Sequence, residues 1–282
     1  MILTEPLNQW QAGLADGSIV PYLGPGVLAD VRSTADGRAM PATSDQLILA
    51  MNKGQPMAPK LMYEFARAAM NIELKRGRSA VTRFLDATYG DPHWTRAALH
   101  DWLAAIVPPY VIDINRDTQL QDSYAARPHL LVLGCARIGG TDYRFKLFAS
   151  DGTAYTAIRP EDAEPGLPVL FKPMGSPRPQ SNYIASDADY VDYITELMGG
   201  FAVPSFVKAR RKGKRYLLLG MRLNRDSERM VLSDLIYDAA QEPAGWALIA
   251  EPTDKERRFC RKQGLELVEA DASALLEESV AA

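Results

Sequence analysis

Cysteine is nearly absent: the 282 residues include two, Cys135 and Cys260. That is too few for a disulfide framework or a four-thiolate zinc site, and no Cys-x-x-Cys pair occurs. A reducing cytoplasm is the compartment this composition predicts. Histidine is almost as scarce, with three residues at positions 93, 100 and 129 and no pair at ligand spacing, so no metal is expected. No run approaches the roughly 20 apolar residues needed to cross a bilayer. The first ten residues carry Glu5 and Asn8 and lack the basic flank and apolar stretch of an export signal. The formal charge of −3 leaves no global electrostatic reason for a nucleic acid or a membrane to be the main partner. What remains, 47% hydrophobic and 24% charged residues, is the composition of an ordinary globular protein. The length suits one large α/β domain or one domain carrying an inserted module.

Leu7, Trp10 and Leu14 recur at helical intervals over Pro6 to Ala15, and Ser18 to Leu23 then reads as a buried strand. From Thr43 to Ala105 apolar residues recur every three or four positions with hardly any alternation, which predicts several packed helices. Strands are expected at Tyr110–Ile114, His129–Cys135, Tyr143–Ala149, Ala154–Ile158 and Leu167–Phe171, with a short helix over Thr118–Ala125. Ser176 to Ser186 reads as a loop. Asp187–Met198 reads as a capped helix with Ala188, Val191, Ile194, Thr195 and Met198 on one side. The last third alternates strands at Tyr216–Leu219, Trp246–Ala250 and Leu265–Val268 with helices at Glu228–Ala240, Thr253–Lys262 and the end of the chain. The expected fold is α/β, a Rossmann-like parallel sheet with helices on both faces and a helical insertion. The reading is of one domain over residues 1–282, its sheet drawn from 1–35 and 107–282 and its insertion from about 36–106.

In an open parallel sheet, ligands sit beyond the carboxyl ends of the strands. Four segments follow apolar runs: Gly24-Pro25-Gly26, Asn115-Arg116-Asp117, Lys172-Pro173-Met174-Gly175, and Gly220 to Asp226. Gly24-x-Gly26 lacks the third glycine of the dinucleotide fingerprint and reads either as a tight turn or as a loop whose amides reach a phosphate.

In order and placement, these segments resemble a bacterial sirtuin-like protein of the branch without the structural zinc ribbon. Val20 to Leu28 is similar to the strand and Gly-Ala-Gly loop that open sirtuins, with Pro25 for Ala and Leu28 where a Ser is common. Asn115-Arg116-Asp117 resembles the family's Asn-x-Asp triplet, and Lys172-Pro173-Met174-Gly175 its Lys-x-His-Gly. Leu219 to Asp226 resembles a late strand ending in Gly, followed by an Asp and a helix. The resemblance spans Ser18 to Val268. It implies binding of NAD or ADP-ribose, cleavage of the nicotinamide–ribose bond, and transfer of ADP-ribosyl to an acyl-lysine or to water. The contacts it implies are Gly24 and Gly26 at the phosphates, with Pro25, Val27, Arg116, Lys172, Met174 and Gly175 also binding the cofactor, and with Gly220, Met221, Asn224 and Asp226 bordering the adenosine side. Asn115 would orient ribose or water.

Met174 stands where the family has its general base, and a thioether has no titratable proton. Conventional deacylation is therefore not expected. The readings that remain are NAD hydrolysis and a catalytically inactive sensor, scaffold or accessory protein. Asp113 shares a strand face with Asn115, and Asp117 lies just beyond it. Both could carry negative charge near the anomeric carbon; alternatively, Asp113 caps a helix or pairs with Arg116. Arg116 suits either a phosphate or the surface. His93 reads as a helix start, His100 as part of an amphipathic helix and His129 as the start of a strand. The basic run Lys208 to Arg215 reads as a solvated loop or as a site for an acidic partner. Met40, Met51, Met57, Met62 and Met70 fill a core or line a groove. A homo-oligomer or a protein partner is compatible with all of this.

Overall fold

The computed structural model describes residues 4–90, 93–138 and 143–281; the first three residues of the N-terminal segment discussed above lie outside it. Leu7, Trp10 and Leu14 are buried along α1 (Thr4–Asp16), which leads into β1 (Ile19–Leu23), buried at every position. A 3₁₀ turn over Pro25–Leu28 follows. Five helices come next, α2 (Ser44–Met51), α3 (Pro59–Met62), α4 (Phe65–Arg76), α5 (Arg78–Tyr89) and α6 (Ala98–Ile106). Thr43 and Gln46 close a reciprocal capping box on α2, satisfying two amides that the helix itself cannot.

The chain then runs β2 (Tyr110–Asp113), α7 (Gln119–Ser123), β3 (His129–Gly134), β4 (Phe145–Ser150), β5 (Tyr155–Ala157) and β6 (Val169–Lys172). A two-stranded hairpin, β7 (Gly175–Ser176) and β8 (Asn182–Tyr183), precedes α8 (Asp187–Gly199) and α9 (Ser205–Arg211). The last third is β9 (Arg215–Leu219), α10 (Asp226–Leu235), β10 (Gly245–Leu248), α11 (Asp254–Lys262), β11 (Leu265–Val268) and α12 (Ala274–Ala281).

Nine strands form one sheet in the order β11-β10-β9-β1-β2-β6-β3-β4-β5. Every pairing from β11 to β3 is parallel; β3–β4 and β4–β5 are antiparallel. Alternate residues of each central strand enter different cores. Leu23, Val111, Leu170 and Leu217 pack on one face, and Tyr22, Ile112, Phe171 and Leu218 on the other. Such double burial is what a parallel sheet with helices on both sides requires, so the fold is α/β and Rossmann-like. The order in which strands are added reverses at the centre. From β1 the chain goes to β2 on one side, and from the adjacent β9 it goes to β10 on the other, which opens a crevice between their carboxyl ends. Among the described residues no helix is long and apolar enough to cross a membrane.

Four local expectations need correction. His93 precedes a bridge between Ser33 and Trp94, and the nearby helix starts later, at Ala98. On α8 the buried side is Asp189, Tyr193, Ile194 and Leu197, while Val191 and Met198 are 68% and 72% exposed. The Asp189 carboxylate sets this rotation, because it caps Ala185 and Ser186 and accepts from Arg137 at 2.7 Å, so its face must turn inward. In the basic run, Lys208 to Arg211 form the end of α9, where cations complement the helix dipole, and Arg210 donates to the Pro109 carbonyl at 2.8 Å. Ser176 to Ser186, expected as loop, contains most of the β7–β8 hairpin.

Candidate functional site

Two turns meet backbone to backbone at the crevice. The Gly24 amide donates to the Leu219 carbonyl at 2.9 Å and the Gly26 amide to the Gly220 carbonyl at 2.8 Å. A Cβ on Gly26 would lie 2.8 Å from the Gly220 Cα. Gly220 sits at φ +66°, in the left-handed region, where a Cβ would also lie 2.4 Å from the Val27 nitrogen. Glycine is therefore required on both sides for the β1 and β9 turns to interlock. Both amides are spent on this lock. Gly220→Ala should lose about 2–4 kcal/mol from backbone strain and overpacking. Urea unfolding checks this, and a loss below about 0.5 kcal/mol, the ordinary scatter of surface substitutions, would refute the lock.

Beside the interlocked turns lies a cavity of about 300 Å³, bordered by Gly26, Gly220, Met221 and Asn224 from the turns and by Leu248 to Ala250 beyond β10. Asp271 and Ala272, beyond β11, and Thr43 and Ser44, at the start of α2, complete its rim. Both its size and its place where the strand order reverses suit a small organic ligand.

A tighter chamber of about 40 Å³ adjoins it, with Pro25, Ser44 and Glu228 common to both. Asn115, Arg116 and Met174 line this chamber together with Phe65 and Tyr190. The Asn115 amide donates to the Gly24 carbonyl at 3.0 Å and to Asp113 at 2.8 Å, which fixes the side chain; its Oδ1 accepts nothing among the described residues. Arg116 is 8% exposed, donates to the Ile184 carbonyl at 2.6 and 2.9 Å and to the Tyr190 hydroxyl at 3.1 Å, and lies over the Phe65 ring. No carboxylate among the described residues pairs with it, so it is a fixed positive charge on the chamber wall. Glu228 opens into both spaces and makes no hydrogen bond or ion pair among the described residues. Its side chain is half-buried. Burial and then the neighbouring Glu64 carboxylate push its carboxyl up to about 7. Glu64 itself accepts from the Ser227 hydroxyl and amide at the start of α10.

Beneath Asn115 a charged network is sealed from solvent. Asp113 and Lys172 end the paired strands β2 and β6, one residue past the Ile112–Phe171 pair, and their ion pair spans 2.7 Å with both side chains 0% exposed. His100 of α6, also fully buried, approaches the same carboxylate to 3.6 Å. Burial alone would raise the Asp113 pKa, but the Lys172 ammonium, helped by His100, holds it well below the usual carboxylate range. Asp113 therefore stays ionised and accepts from both the amide and the side chain of Asn115. Asp117 is likewise buried and accepts from the Gln119 amide at 2.7 Å as α7 begins; burial pushes its carboxyl up.

Of the residues singled out in the sequence, Pro25, Gly26, Asn115, Arg116, Met174, Gly220, Met221 and Asn224 border the two spaces. Asp113, Asp117 and Lys172 do not; they lie buried under the site, and Asp113 pairs with Lys172 rather than with Arg116. Gly24 and Val27 belong to the lock, Gly175 to the β7–β8 hairpin, and Asp226 lies on the surface beside Arg229. Glu64, Phe65 and Glu228 went unnoticed in the sequence because nothing in its pattern separates them from ordinary helix residues. Ile249 and Asp271, by contrast, could have been found from the strand-end rule that located the other turns. Among the described residues no group of three or more His, Cys, Asp or Glu could hold a metal.

A family model described as the SIR2-like domain matches residues 111–268, more than half of the chain. The match takes in Asn115, Met174 and Gly220, whereas the Gly24–Gly26 turn lies outside it. A comparison with curated proteins finds no match. With the parallel sheet and the strand-end turns already described, the matched stretch shows that the chain belongs to the SIR2-like domain family.

Proposed function

We propose that this chain binds NAD or ADP-ribose in the crevice between β1 and β9 and hydrolyses NAD at the nicotinamide–ribose bond. The observation that carries the reading is the fixed Asn115, whose unused oxygen borders a chamber opening directly into the larger cavity. The larger cavity suits the ADP-ribose part of the ligand, with Gly26 and Gly220 on its border. Arg116 offers positive charge at the inner end. Asn115 holds a water or a ribose hydroxyl, and Asp113, kept anionic by Lys172, holds Asn115. Met174 supplies no base, which sets protein deacylation aside.

A second reading, a non-catalytic protein that responds to the nucleotide, is favoured by the inner chamber itself. At about 40 Å³ it has room for only a few water molecules, so a nicotinamide ring enters only when Phe65 or Tyr190 yields. Calorimetric titration with NAD and with ADP-ribose, followed by chromatography of the same samples for nicotinamide, separates the readings. Binding with release is the expected result, binding without release selects the sensor, and no binding removes both. Met174→His, which restores an imidazole beside Asn115, should raise nicotinamide release at pH 7.5 by about tenfold or more. An unchanged rate would mean that the chamber does not present water to that side.

A further inference from the structure

We propose that Glu228 is the proton acceptor of this site, doing from α10 the work that Met174 cannot do from the turn after β6. The inference rests on the hydrolase reading above. Glu228 borders both the larger cavity and the inner chamber, so it stands where the ribose of a bound nucleotide would pass from one to the other. Asn115 borders the same chamber, and each of the two brings an unused oxygen. A carboxylate bonded elsewhere would be committed to structure; Glu64, held by Ser227, is one such group. Glu228 is not held, yet it is enclosed among named charges. Glu64 faces it from the start of α4, Arg116 from the turn after β2, and Arg225 and Arg229 from α10 and the residue before it, with the phenols of Tyr22 and Tyr190 nearby. Glu64 opposes its ionisation and the arginines favour it, which leaves the carboxyl poised between its two forms near neutrality.

The step it serves is balanced as follows. The oxygen of water, held by Asn115, bonds to the anomeric carbon of the nicotinamide ribose as the carbon–nitrogen bond breaks. The electron pair of that bond returns to the ring nitrogen, giving neutral nicotinamide, and the water proton passes to the Glu228 carboxylate before leaving to solvent. The products are ADP-ribose, nicotinamide and one proton.

The test compares wild type with Glu228→Gln and Glu228→Ala, measuring ADP-ribose binding by calorimetry, nicotinamide release against pH, and the carboxyl titration by carbon-13 NMR of glutamate-labelled protein. In the wild type, release should rise with pH through about 7, and one glutamate signal titrating there should vanish in Glu228→Gln. Glu228→Gln should still bind ADP-ribose but release nicotinamide about 10²–10⁴-fold more slowly. Added formate should restore part of the rate in Glu228→Ala, which a merely structural role would not permit. Unchanged release in Glu228→Gln, or no glutamate titrating near neutrality, overturns the assignment. Wild type that binds ADP-ribose without releasing nicotinamide from NAD also overturns it while leaving the nucleotide site intact, whereas failure to bind ADP-ribose overturns the underlying reading itself.

Discussion

Lys172→Met is expected to lose about 3–5 kcal/mol of stability, because it keeps most of the apolar stem and leaves the Asp113 carboxylate buried without its ammonium. The sign of the accompanying pH dependence follows from the pair. In the wild type the folded-state pKa of Asp113 lies below the unfolded value of about 3.9, so its contribution is complete above that pH and is lost as the pH falls through the folded value. In Lys172→Met burial, the largest influence on this carboxyl, is opposed only by the weaker His100 contact and the two hydrogen bonds from Asn115, which leaves the folded-state pKa above the unfolded one. Mild acid should then narrow the gap between variant and wild type. Urea unfolding at pH 7.5 and pH 5 reads both effects. A double replacement, Asp113→Asn with Lys172→Met, should recover much of the loss, since no uncompensated charge remains. A Lys172→Met protein as stable as wild type at pH 7.5 would mean that water reaches the carboxylate.

The largest expected effect on chemistry belongs to Asn115→Ala. On the proposed hydrolase reading, nicotinamide release should drop to background, at least about 100-fold below wild type, because the group proposed to orient the attacking oxygen is gone. ADP-ribose should still bind within about tenfold, since the larger cavity lies beyond Asn115. Stability should fall by about 1–3 kcal/mol through loss of the two hydrogen bonds to Gly24 and Asp113. Chromatographic release assays at saturating NAD provide the check. A variant retaining a tenth of the wild-type rate would take Asn115 out of the reaction.

The alternation of apolar runs with amphipathic stretches made the parallel sheet legible, and the glycines at the ends of β1 and β9 marked where the chain turns over it. Both are local signals. Burial on both faces writes a continuous apolar run, and a turn between crowded backbones demands the residue without a Cβ. The fate of Asp113 was not local. Its place on β2 could be counted, but its partner Lys172 comes from β6, and only the register between those strands brings the two together. Glu64 and Glu228 are further examples, two helix-terminal carboxylates that the fold sets side by side. The face of α8 was misread for another reason. Apolar character predicted Val191 and Met198 inside, and the capping work of Asp189 turned the helix the other way.

The pairing of β1 with β9 aligns Ile19 with Arg215, positions far apart along the chain, and these are the strands whose ends frame the crevice. Closing so long a loop is entropically slow compared with forming the local helices between them. During synthesis, β1 must wait for most of the polypeptide to emerge before its neighbour exists. The helices between Ser44 and Ile106 and the β3–β4 hairpin can form early, but the crevice is among the last features to be built. A ligand that binds there reports on completed folding, and a nascent chain stalled before Arg215 has no crevice to fill.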